Sequence, residues 1–327
     1  MQKILVTGAN GFVGRALCSL LLEKGYVVRG AVRSAEKSAY LPNEIEVCVV
    51  DEIGPDTDWE KAMQGVDVIV HLAARVHVIG KSEVDSSLEY NRINALGTEQ
   101  LARLAAKHKI SRLIYLSSVK VNGEYTVSDS KGAIVSFSEE DAPNPRGYYA
   151  LSKWKAELAL QRIKEEAGLE IVILRAPLVY GPGVKANFLS LLKIVDFSIP
   201  LPLANIKNLR SFIYLGNLTD IILKCISEPM AAGHTFLVSD GRDISTPDLI
   251  REIAITMGRS PKLFPAPTIL LKSLGMIIGR FSEIERLIRS LCINNNKISK
   301  ILDWKPFYTL DQGIKLTIDS YLCNTHN

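Results

Sequence analysis

Three glycines at Gly-x-x-Gly-x-x-Gly spacing, set between an apolar run and an amphipathic one, constrain this chain more than any other feature. The run Thr7-Gly8-Ala9-Asn10-Gly11-Phe12-Val13-Gly14 follows the short buried-strand pattern Lys3–Thr7. It precedes a stretch from about Phe12 to Lys24 in which Val13, Leu17, Leu20 and Leu21 share one helical face, and Gly25 supplies the stop. One glycine permits the tight turn, another lets backbone amides approach an anion, and the third lets helix and strand pack closely. The positive end of the helix then favours a pyrophosphate. Gly8, Asn10, Gly11, Phe12, Val13 and Gly14 are therefore read as cofactor-binding.

The rhythm continues. Strands are expected at Val27–Val32, Val47–Val50, Val66–Leu72, Arg112–Leu116 and Ile171–Leu174, with a helical turn at Trp59–Met63 and helices at Asn94–Lys107 and Tyr148–Glu166. Repeated β-α units predict a doubly wound parallel sheet. After Pro177 the prolines and glycines of 177–183, then Pro200 and Pro202, break the pattern, and a mixed region runs to a last helix near Leu310–Tyr321. The expected division is a dinucleotide domain at 1–176, rejoined by about 212–232, and a smaller mixed α/β substrate domain at 177–211 and 233–327. Asp51, just past the third strand, is placed to meet an adenine ring.

With 327 residues and 47% hydrophobic content the chain can bury a large core, and a net charge of +4 suits anionic small ligands rather than nucleic acid. The five scattered cysteines form no CxxC or Cys/His cluster, so neither disulfides nor a metal site is expected. The first residues enter a strand at once, which leaves no room for a signal peptide and gives a cytoplasmic expectation. The apolar segment Pro265–Gly279 is interrupted by Lys272 and too short to span a bilayer, and reads as a helix packed inside the protein or against a partner.

Chemistry is concentrated where the fifth strand ends and the next helix begins. Tyr149 and Lys153 stand four apart on one helical face, so an ammonium can sit beneath a phenol and favour its ionised form. With 11 tyrosines about one such YxxxK pair is expected by chance. Position decides: Ser117-Ser118 closes the preceding strand, and active residues gather past the carboxyl ends of strands in such sheets. Ser118, Tyr149 and Lys153 are taken as the catalytic set, with Ser117 satisfying backbone groups.

In this order, these pieces resemble the extended short-chain dehydrogenase/reductase family, which includes UDP-galactose 4-epimerase, sugar-nucleotide dehydratases and 4-ketosugar reductases. The resemblance covers nearly the whole chain and implies a Rossmann sheet, a nicotinamide cofactor, a UDP-sugar substrate and a homodimer built from helices 94–107 and 148–166. It implies that Leu72, Ala73 and Ala74, in His71-Leu-Ala-Ala74, pass the cofactor, that Asn94 is structural, and that Pro177 lies beside the nicotinamide. It also implies that Asn187 and Arg210 hold the nucleotide diphosphate and that Ile199–Leu203 lies along the base. Asn122-Gly123 departs from the tyrosine–glycine of many epimerases.

Family dehydratases carry an acidic pair where this chain has Ser118-Val119, which disfavours dehydration. The second strand ends in Val32-Arg33-Ser34 with no acid, and Arg33 could hold a 2′-phosphate, which points to NADP(H) over NAD(H). An exchanging reduced cofactor suits a reductase. The expected reaction is thus reduction of a UDP-4-keto-6-deoxy-N-acetylhexosamine, with a UDP-glucose or UDP-GlcNAc 4-epimerase as the alternative. A non-catalytic NAD(P)-binding regulator is a more distant one.

Overall fold

The computed structural model describes residues 1–76, 83–277, 279 and 281–325. Strands β1 (Lys3–Thr7), β2 (Val27–Val32), β3 (Glu46–Val49), β4 (Val68–His71), β5 (Arg112–Ser118) and β6 (Glu170–Ala176) fall within a residue or two of the expected runs. Helices α1 (Phe12–Glu23), α2 (Glu60–Met63), α3 (Glu83–Tyr90), α4 (Gly97–Lys107) and α5 (Gly147–Ala167) lie between them. The helix expected from Asn94 opens instead with a π-helical segment, Asn91–Leu96.

Beyond β6 come β7 (Leu178–Tyr180), α6 (Ala186–Asp196), β8 (Phe212–Tyr214), α7 (Leu215–Ser227) and β9 (Thr235–Leu237). The chain ends in α8 (Thr246–Thr256), α9 (Thr268–Ile277), α10 (Phe281–Ile288), α11 (Asn296–Leu302) and α12 (Leu310–Thr325).

Seven parallel strands form the main sheet in the order β3-β2-β1-β4-β5-β6-β9. The order reverses between β1 and β4, and that switch point opens a crevice at the carboxyl ends of the strands. Alternation along β1 shows why both faces are covered. Ile4 and Val6 join Leu17, Leu21, Ile221 and Ile222 of α1 and α7, whereas Leu5 joins Leu101, Ala105, Ala156 and Leu160 of α4 and α5. Full burial of each leucine, isoleucine or valine among them contributes about 1.5–3 kcal/mol.

A third core, including Tyr180, Phe188, Phe212, Ile250 and Ile314, lies under the two-stranded sheet β7-β8 and helices α6, α8 and α12. The chain returns to the main sheet through α7 and again through β9, which pairs with β6. The return therefore reaches past 212–232. The segment 265–279, of which Ile278 lies outside the described residues, buries Ala266 and Leu271 but leaves Ile269 77% and Ile277 82% exposed. It is not an interior helix: α9 meets the molecule along one side only. No described helix is long and apolar enough to cross a membrane.

Candidate active site

The glycine turn is built as its spacing requires. Gly8 has φ +67°, and a Cβ there would stand 2.9 Å from the Ala73 nitrogen. A Cβ on Gly14 would lie 2.2 Å from the Gly8 carbonyl oxygen. Gly11 donates its amide to that same oxygen at 2.9 Å. Gly8, Asn10, Gly11, Arg33, Leu72, Ala73 and Ala74 line one open groove. The side chains of Phe12 and Val13 pack into the cores behind the turn, while their backbone amides open α1. Asp51 is exposed and does not line the groove, whereas Glu52 and Ile53 do, with Trp59 and Arg75. The acid lining the groove is thus one residue further along the chain than expected.

A buried polar chain holds the strand end that leads into Leu72, Ala73 and Ala74. His71 Nδ1 and Thr7 Oγ1 are 2.6 Å apart, His71 Nε2 and Thr98 Oγ1 2.9 Å, and Thr98 donates to the Asn94 carbonyl at 2.7 Å. Burial, with the nearby Lys153 charge, pushes the His71 imidazole down to about 3. Asn94 accepts from the Arg75 amide at 2.8 Å and donates to Ser152 at 3.0 Å, tying the groove to α5.

Ser118 ends β5, opposite Ala176 in register and so beside the buried Pro177. The half-buried Tyr149 sits in the first turn of α5, with the Tyr90 ring edge-on to it at 6.1 Å. Burial pushes the Tyr149 phenol up to about 12, Tyr90 adds to this, and a hydrogen bond with Ser118 works in the other direction.

Lys153 is buried, donates to the Leu116 carbonyl at 2.8 Å, and lies 4.5 Å from the Tyr115 ring centre. Burial lowers its ammonium to about 7, partly offset by Glu157. Burial is the largest influence on the phenol, and the Lys153 ammonium is directed at the strand. Helical spacing places both groups on one face, but it cannot reveal that a strand carbonyl competes for the lysine.

Asn187 is exposed on the first turn of α6 and lines none of the cavities around the catalytic helix. Arg210 donates to the carbonyls of Arg286 and Arg289 at 2.8 and 3.3 Å, which closes the end of α10 and fixes that helix. Two cavities of about 400 and 410 Å³ flank the start of α5. One is walled by Asn122, Asp141, Asn144 and Arg146, the other by Glu124, Tyr125, Arg146, Arg286 and Arg289. Sequence reading missed Glu52, Arg75, Arg286 and Arg289. The first two adjoin residues already singled out; the arginines sit on a late helix with no motif to mark them. The described residues hold no group of three or more His, Cys, Asp or Glu side chains that could bind a metal.

The doubly wound parallel sheet agrees with what comparison finds. Residues 4–239 match the family described as NAD dependent epimerase/dehydratase. A UDP-glucose 4-epimerase from Vibrio cholerae is 39% identical over 323 residues, covering 98% of this chain and 96% of that protein. In overall fold the chain is similar to a UDP-glucuronic acid 4-epimerase from Bacillus cereus in complex with NAD, with a TM-score of 0.79, 23% identity and full coverage of both chains. It is similar also to a UDP-glucose 4-epimerase from Thermotoga maritima, with a TM-score of 0.76, 21% identity, and 99% and 100% coverage. A match spanning most of the sequence, on this architecture, leads to one conclusion: the chain belongs to the NAD-dependent epimerase/dehydratase family, of the extended short-chain dehydrogenase/reductase type.

Proposed function

We propose that the chain is an enzyme acting at C4 of a UDP-sugar, and that it interconverts C4 epimers. The observation that carries the chemistry is geometric: Ser118 closes β5, Tyr149 and Lys153 stand one turn apart at the start of α5, and Lys153 donates to the Leu116 carbonyl of that strand at 2.8 Å. Near-full-length identity of 39% to a UDP-glucose 4-epimerase supports epimerisation over a single reduction.

The groove fits a nicotinamide dinucleotide: a Cβ at Gly14 would close the turn, and Arg33 supplies a cation near the end of β2. Gly8, Asn10, Gly11, Arg33, Leu72, Ala73 and Ala74 would hold that group, which supplies hydride chemistry when bound. Tyr149 takes or returns the proton on the C4 oxygen, and Ser118 orients that oxygen. Lys153 holds the strand end on which Ser118 sits. Segments 177–211 and 238–327 are assigned to the nucleotide sugar, with Arg286 and Arg289 lining the cavity beside the start of α5. A homodimer across α4 and α5 belongs to the same reading, with Leu151 and Leu158 exposed on α5.

A second reading, reduction of a UDP-4-keto sugar with NADP(H), is favoured by one observation: Arg33 lines the groove where β2 ends without an acid. One assay separates the two. Interconversion of UDP-glucose and UDP-galactose, or of their N-acetyl forms, without net change in cofactor absorbance supports the epimerase. Stoichiometric loss of that absorbance with a UDP-4-keto-6-deoxy sugar supports the reductase. Failure of both, with cofactor binding intact, overturns the enzymatic reading.

A further inference from the structure

Helix α5 grips the end of β5 at two points one turn apart. Lys153 donates to the Leu116 carbonyl, and Glu157, four residues later, accepts from Ser117 Oγ at 2.5 Å. Glu157 is fully buried. Its other partner is Arg175 of β6, with Nη2 to Oε2 at 2.6 Å and Nε at 3.1 and 3.2 Å from the two oxygens. Ser117 and Arg175 are direct register partners across β5 and β6, so strand, strand and helix meet in one layer. Arg175 also donates to Asn122 Oδ1 at 3.1 Å, which anchors the turn that follows Ser118.

A buried ion pair brings little net stability, because desolvation offsets most of the attraction; apolar residues of similar size often do as well. What such a pair supplies is a single geometry. Neighbouring strand residues project to opposite faces, so holding Ser117 at the strand end fixes where Ser118 points.

We propose that Glu157, clamped by Arg175, is a positioning residue that sets Ser118 against Tyr149 through Ser117. The proposal rests on the functional reading above, in which Ser118 and Tyr149 address one substrate oxygen.

Ser117→Ala leaves the ion pair in place and is the first test. Its kcat should fall about tenfold while KM and cofactor affinity change less than about twofold. The double variant Ser117→Ala/Ser118→Ala should be no slower than Ser118→Ala alone, because Ser117 acts only through its neighbour. Glu157→Gln, which keeps the shape but removes the charge, should show the same kcat-selective loss. Losses that multiply in the double variant, or an unchanged kcat in Ser117→Ala, overturn the proposal. A crystal structure of Ser117→Ala provides a readout without substrate. Ser118 occupying more than one rotamer supports positioning even if the native enzyme turns over no UDP-sugar, in which case only the functional reading falls. An unmoved Ser118 refutes positioning.

Discussion

The Lys153 ammonium lies 2.8 Å from the carbonyl oxygen of Leu116, the residue two before Ser118, and so links the YxxxK helix to the strand that carries the serine. Both ends of the pair are perturbed by burial. The phenol of Tyr149 is pushed up to about 12 and the lysine down to about 7, so the protein without ligands holds a neutral tyrosine beside a lysine poised near neutrality. Charge brought by substrate or cofactor therefore acts on a site whose own groups are easily shifted.

Stability should report the buried lysine. Unfolded Lys153 titrates near 10.5 and the folded one near 7. Between these values the unfolded state holds the extra proton, so native stability rises with pH across that window. Relative to Lys153→Met, the native protein should gain up to about 1.4 kcal/mol per pH unit from pH 7 to 10. Denaturant titrations at several pH values check this, and parallel curves would contradict it.

His71 gives the matching effect in acid. Its folded value of about 3 lies below the ordinary 6.5. As pH falls through that interval the unfolded chain takes up a proton that the native one refuses, and stability is lost. His71→Gln should flatten the dependence by about 1.4 kcal/mol per pH unit between pH 6 and 4, measured in the same way. An equally steep variant would show that other groups dominate.

Gly14→Ala should destabilise the protein by about 1–3 kcal/mol and weaken cofactor binding, because the new methyl group meets the backbone of the turn at 2.2 Å. Thermal shift with and without added NAD tests both parts. Full retention of cofactor affinity would mean that the turn does not cradle the dinucleotide.

The sequence carried the sheet, the glycine turn and the placement of Ser118 at a strand end with Tyr149 and Lys153 on the next helix, because each depends on local periodicity or fixed spacing. Long-range competition was not legible. Nothing in the YxxxK spacing reveals that Leu116 captures the ammonium, and nothing near Arg210 reveals that it closes the end of a helix some seventy residues away. Glu52 rather than Asp51 lines the groove, a difference of one residue that the strand pattern does not show. Only the interior half of the reading of α9 fails, for a related reason: an apolar run states how much surface wants burial, not whether the fold itself covers it.

Cofactor preference is open to a direct measurement. Arg33→Ala should weaken NADP(H) binding about tenfold or more and leave NAD(H) nearly unchanged if that cation meets a 2′-phosphate. Equal effects on both would remove the observation favouring a reductase and strengthen the epimerase.

The central claim, proton transfer by Tyr149 at the C4 oxygen, is tested most directly by turnover of Tyr149→Phe with UDP-sugar alongside its affinity for the cofactor. The account predicts a fall of about 10²–10⁴-fold in kcat with cofactor affinity nearly unaltered. A kcat within a fewfold of the native value would contradict it.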